Sequence, residues 1–112
     1  MQIDLLVPDL MAHSRLSGAF AAASSELEQM AGSLLVVDVG TMAALGWEKA
    51  ISRAKAKGVS VIAFSPHSMA KRLAEAKRAG ADLVAVNGDM LTDPLAVVRR
   101  LRAQEQNPPA TS

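Results

Sequence analysis

The chain predicts an α/β fold, a small open parallel sheet of about four strands with helices on both faces. Three observations carry that reading. Apolar runs of strand length recur four times, at 3–7, 34–38, 59–64 and 82–86. Each run is followed by a segment with apolar residues at helical spacing. Proline or glycine punctuates the joins, at Pro8, Gly32, Gly58, Pro66 and Gly80. Strand and helix in alternation favour a parallel sheet joined by right-handed crossovers.

Taken in order, the first strand (3–7) is interrupted only by Asp4. Pro8 has no amide hydrogen and stops ladder pairing, which leaves Asp9 at the strand's carboxyl end. Ser14 is the candidate cap of a helical segment over 15–30, whose apolar face is Leu16, Ala19, Phe20, Ala23, Leu27 and Met30. Gly18 and the adjacent Ser24 and Ser25 interrupt it, so one long helix and two short ones broken near Ser24 are both open. The second strand is Leu34, Leu35, Val36 and Val37 followed by Asp38. Four consecutive apolar residues suit a strand buried on both faces, whereas a carboxylate is costly to bury and belongs at the strand's end, facing a crevice. Gly40 and Thr41 then read as loop and helix cap.

Trp47, Ala50, Ile51 and Ala54 form the next apolar stripe, with Glu48, Lys49, Arg53, Lys55 and Lys57 on its wet side. The third strand leads into Ser65 and Pro66. Ser68 is the candidate cap of a helix to Arg78, with Met69, Leu73 and Ala76 inward and Lys71, Arg72, Glu75 and Lys77 outward. The fourth strand runs into a loop at Asn87, Gly88 and Asp89. Thr92 or Asp93, with Pro94 behind them, starts the last helix, whose inner stripe is Leu95, Val98 and Leu101. Residues 1–106 read as one domain and 107–112 as a disordered tail.

Composition narrows the function classes. The chain has no cysteine, which excludes disulfides, thiolate metal sites and cysteine nucleophiles. Its net charge of +1 gives no footprint for nucleic acid or an anionic membrane. No apolar run is long enough to span a bilayer, and the first ten residues lack a basic leader, so the expected location is cytoplasmic. Arg99, Arg100 and Arg102 read as a solvated basic strip. Met11, Met30, Met42, Met69 and Met90 read as gap fillers.

Ligands in open α/β sheets gather at the carboxyl ends of the strands. Those ends hold Asp9, Asp38, Ser65 and Asn87. Here the chain resembles the receiver domain of bacterial response regulators, a flavodoxin-like fold. The likeness rests on Leu5 to Asp9 with Arg15, on Val36-Val37-Asp38, on Gly46 eight residues further, on Val61 to Ser65, and on Ala79-Gly80-Ala81-Asp82 before Val84 to Asn87. It covers about residues 2–101, through the order and separation of the pieces. The resemblance implies Asp38 as phospho-acceptor, Ser65 as switch hydroxyl, Asn87 at the position of the family's lysine, and Asp9 with Asp38 as holders of a magnesium ion.

Departures from the family pattern turn that implication. Pro8 replaces the first of the two adjacent acids, Asn87 replaces the lysine and is followed by Gly88, and Val84 replaces the aromatic switch residue. Phosphoryl transfer depends on positioned positive charge, which a neutral amide does not supply. The interval from Asp9 to Asp38 is also short by about a dozen residues, roughly one strand with its helix. The family's second strand is therefore expected to be missing, with the first strand left at a sheet edge. The expectation is a degenerate, pseudo-receiver domain. It is a signalling protein–protein interaction module, not an enzyme, with no required cofactor and no conventional phosphorylation.

Three other readings compete. One is a working aspartyl acceptor at Asp38. Another is a small anion-binding or enzymatic α/β domain. The third is a transition-metal site in which His13 and His67 join Asp9 and Asp38. Residues 58–87 also resemble consecutive TIM-barrel units, but eight such units need at least twice this length. A protein partner of a signalling pathway is expected, together with a homodimer that covers the exposed first strand, or else 20–30 folding back over it.

Overall fold

The computed structural model describes residues 1–41 and 44–106, and the expected tail at 107–112 and Met42 lie outside them. Strands β1 (Gln2–Leu6), β2 (Ser33–Asp38), β3 (Ser60–Ser65) and β4 (Leu83–Val86) form one sheet in the order β1-β2-β3-β4. Every neighbouring pair is parallel. Helices α1 (Leu10–Ala22) and α2 (Ser24–Glu28) connect β1 to β2, and α3 (Ala44–Ala56) connects β2 to β3. A 3-10 turn (His67–Met69) and α4 (Ala70–Ala79) lead to β4, after which α5 (Asn87–Thr92) and α6 (Pro94–Gln106) complete the described chain. The four-stranded parallel sheet, with β1 at its edge, agrees with the sequence reading. Residues 10–32 hold two helices and no strand, as the short interval between Asp9 and Asp38 requires.

The core lies in two layers, one on each face of the sheet. On one face Leu34, Val36, Ile62 and Phe64 meet Leu16, Phe20, Leu27, Val98 and Leu101 from α1, α2 and α6. On the other, Val37, Val61 and Ala63 meet Trp47, Ile51 and Ala54 of α3 and Ala76 of α4. β2 and β3 carry apolar side chains to both layers because they are the inner strands, which accounts for their unbroken apolar runs. β1 departs from that pattern. Ile3 and Leu5 pack against the first layer, whereas Gln2 and Asp4 are exposed on the other face. Asp4 is thus the wet side of a half-buried edge strand and not an interruption of a doubly buried one.

Local chemistry moves several boundaries. The first helix starts at Leu10 and not after Ser14, because Asp9 caps it: its Oδ1 accepts from Met11 N at 2.9 Å and Ala12 N at 3.2 Å. Leu10 and Met11 fill that first turn yet stay exposed, so apolar periodicity missed it. Ala23, at φ −99° and ψ 16°, breaks α1 from α2, which settles for two helices. The expected loop at Asn87 to Asp89 is the start of α5, which swings Met90 fully into the first layer. Met90 is a gap filler as read, whereas Met11 is not. Ser68 makes no capping bond, and a 3-10 turn leads into α4 instead. Asp93 is the cap of α6, accepting from Ala96 N at 3.1 Å.

The arginine strip on α6 is paired as well as solvated. Arg99 makes a two-pronged bond to Glu26 of α2, at 2.8 and 2.7 Å, and Arg102 bonds Glu105 at 3.2 Å. No helix among the described residues is long and apolar enough to cross a membrane.

Candidate functional site

The carboxyl edge of the sheet is organised by the loop that leaves β2. Asp38 ends that strand and is only 4% exposed. Its Oδ1 accepts from Gly40 N at 2.8 Å and Thr41 N at 3.3 Å, and its Oδ2 accepts from Thr41 Oγ1 at 2.8 Å. A carboxylate folded back on amides two and three residues ahead is an Asx turn, closed here by a hydroxyl on the second oxygen. Val39 N extends the β-ladder to Phe64 O at 3.0 Å, which fixes where the turn begins.

Residues of α4 and of the end of β3 close the loop from outside. Arg72, on α4, donates from Nη1 to Val39 O at 3.2 Å and Gly40 O at 2.9 Å. The sequence reading placed Arg72 outward. It is half-buried, because the end of β2 leaves carbonyls without ladder partners and a guanidinium can reach them. Gly40 is required by proximity: a β-carbon there would lie 2.7 Å from Pro66 Cδ, 3.2 Å from Asp38 Oδ1 and 3.4 Å from Ser65 Cβ. Ser65 is fully buried at the end of β3 and donates to Pro66 O at 3.1 Å.

Of the sequence-derived site residues, Asp38 and Ser65 are brought together. They end neighbouring strands, where Asp38 pairs in register with Phe64, and both flank Gly40. Asp9 has a different occupation, since its Oδ1 serves the amides of α1 in an exposed cap. Asn87 opens α5, and its Oδ1 is buried without a hydrogen-bond partner. His13 Nδ1 lies 3.4 Å from Ser17 Oγ on its own helix, and His67 is exposed in the 3-10 turn. Among the described residues, no three His, Cys, Asp or Glu side chains are grouped so as to hold a metal ion.

Beside this polar edge lies an apolar surface. Leu10 and Met11 are 78% and 83% exposed, and a shallow groove of about 250 Å³ opens between Asp9, Met11, Ala12, Arg15 and Leu91. Leu10 and Met11 are the large apolar side chains left exposed among the described residues.

Sequence reasoning missed Arg72 and the tight approach of Gly40 to Pro66. The Asx turn had a signal, since an aspartate two residues before glycine and three before threonine is a turn pattern. Nothing in the local sequence of α4 marks Arg72 as the residue that reaches β2. No protein-family model, no curated protein and no solved structure matches the chain.

Proposed function

We propose that this chain is a degenerate receiver-like domain of the response-regulator type, acting as a protein–protein interaction module without phosphoryl transfer. The observation that carries the reading is the occupation of Asp38: both carboxylate oxygens accept hydrogen bonds from the following loop, and the group is buried. An acceptor carboxylate needs an oxygen open to the incoming phosphorus, with cationic charge held beside it. Here the guanidinium of Arg72 serves carbonyls, and an amide stands at Asn87. Asp38 is, on this reading, a fastener that shapes the edge loop. The working surface is the apolar one at Leu10 and Met11. The partners are proteins, a second copy of this chain among them, and the setting is cytoplasmic. The near-neutral charge agrees with partners other than nucleic acid.

Incubation with acetyl phosphate and magnesium, followed by intact-mass measurement, tests the reading. The expected mass is unchanged. A phosphoryl gain that disappears in Asp38→Asn would establish the competing acceptor role and make Asp9 and Ser65 its metal ligand and hydrogen-bond donor. The docking role has its own test in affinity capture with two variants. A partner kept by D38N and lost by the double variant L10S/M11S supports it, and the reverse pattern moves the surface to Asp38.

A further inference from the structure

The outer side of β1 carries backbone groups that nothing among the described residues pairs. Gln2 N donates to Gly32 O at 3.1 Å, so Gln2, Asp4 and Leu6 turn their backbone groups toward β2. Alternation along a parallel strand then turns the N–H and C=O groups of Ile3 and Leu5 outward. The side chains of those same two residues point into the layer shared with α1 and α2. Beside them a groove of about 270 Å³ runs along the edge, lined chiefly by Met1, Ile3, Phe20, Ala21 and Leu27. A strand added here would hydrogen-bond Ile3 and Leu5 and lay its own alternate side chains over an apolar trough. Its occupant must therefore offer apolar residues two apart, with polar ones between them facing water. β1 itself has that pattern, with Met1, Ile3 and Leu5 alternating with Gln2 and Asp4.

We infer that β1 is an interface between two copies of this chain, joined as antiparallel strands into one continuous sheet. Outward-facing residues must meet outward-facing residues, which leaves three registers. Ile3 opposite Leu5 sets Asp4 against the other copy's Asp4, and like charges directly opposed are unfavourable. Leu5 opposite Leu5 sets Asp4 against Leu6. Ile3 opposite Ile3 sets Asp4 against Gln2, where an amide can donate to a carboxylate, twice by symmetry. The third register is the one this edge selects. Both Gln2 and Asp4 are exposed, so the pair forms on the wet face of the joined sheet. The inference goes beyond the interaction role proposed above, at an edge separate from Leu10 and Met11, and it leaves the Asp38 question untouched.

Sedimentation from about 1 to 200 µM tests it, a range chosen because contacts under about 1,200 Å² are weak. The parent should form a dimer. Gln2→Lys should tighten it by roughly two- to thirtyfold by pairing with Asp4 twice, and Gln2→Glu should loosen it by a similar factor. The double variant Q2E/D4K should restore association. Circular dichroism should match the parent in all three, and so should urea midpoints measured at concentrations low enough that every variant is monomeric, because both side chains lie in solvent. A monomer throughout that range overturns the inference. So does a dimer whose affinity Q2K and Q2E leave unmoved or move in the same direction. Neither result bears on the acetyl phosphate assay, so this interface and the acceptor reading fail separately.

Discussion

Replacing Asp38 distinguishes a carboxylate that fastens a loop from one kept free for chemistry. Asp38→Ala removes the acceptor for three donors at once: Gly40 N, Thr41 N and Thr41 Oγ1. Hydrogen bonds to a buried carboxylate are worth more than neutral ones, but Thr41 is exposed and Gly40 half-buried, so water recovers part of the loss. The net cost is about 2–4 kcal/mol. At this chain length that lowers Tm by roughly 8–16 °C. Asp38→Asn keeps Oδ1 for the two amides. It turns Nδ2 toward Thr41 Oγ1, which can rotate and accept, so the cost falls to about 1 kcal/mol. Repulsion between Asp38 and Asp9 suggests from sequence that Asp38→Asn stabilises the fold. The bonds to the loop reverse that sign. Urea denaturation of the parent and both variants measures the series, with the m-value as a check that the denatured state is unchanged. If both variants fall within about 0.5 kcal/mol of the parent, the loop does not depend on Asp38 and the fastener reading is wrong.

Two glycine-to-alanine changes should have opposite signs. Gly40→Ala drives a β-carbon against the ring of Pro66, which cannot turn aside, and should cost about 1–3 kcal/mol, whereas Gly18→Ala on the open face of α1 should stabilise by roughly 0.5–1 kcal/mol. Thermal melts of the pair decide this, and equal effects would refute it. Arg72→Met keeps the aliphatic stem but leaves Val39 O and Gly40 O without their donor, for an expected loss of about 1–2 kcal/mol in urea. The Arg99 hydrogen bond holds Glu26 below the ordinary glutamate value of 4.5, so the pair supports the fold above that pH and its help fades as pH falls through the lowered value. Arg99 is exposed and Glu26 partly so, and solvent screens the pair, so the effect is small. Glu26→Gln should lower stability slightly near neutrality and leave it unchanged at acid pH where Glu26 is already protonated, so the acid limb of the stability curve flattens.

Much of this molecule was legible in the order of its residues. β2 is an inner strand, and its unbroken apolar run announced burial on both faces without any tertiary information. The absence of a strand between Asp9 and Asp38 was expected because that interval is about a dozen residues shorter than the spacing of the pattern the sequence resembles. Asp38, Gly40 and Thr41 formed a turn pattern because an Asx turn is made by neighbours in sequence. Boundaries were less certain wherever an element begins outside the core. Leu10 and Met11 are apolar but exposed, so periodicity hid the first turn of α1 and its cap at Asp9. Met90 is buried through the short helix α5, whose Asn-Gly-Asp beginning read as a loop.

Other features were decided only when distant segments met. Arg72 lies more than thirty residues beyond the carbonyls it holds, and no local pattern distinguishes it from Lys71 beside it. Gly40 tolerates no side chain because Pro66, on the next strand's exit, occupies the space. Whether Asp38 is open to a ligand or closed by its own loop depends on the path the chain takes after the strand ends. Local sequence determines which groups can bond. The packing of β2, β3 and α4 determines which of them remain free.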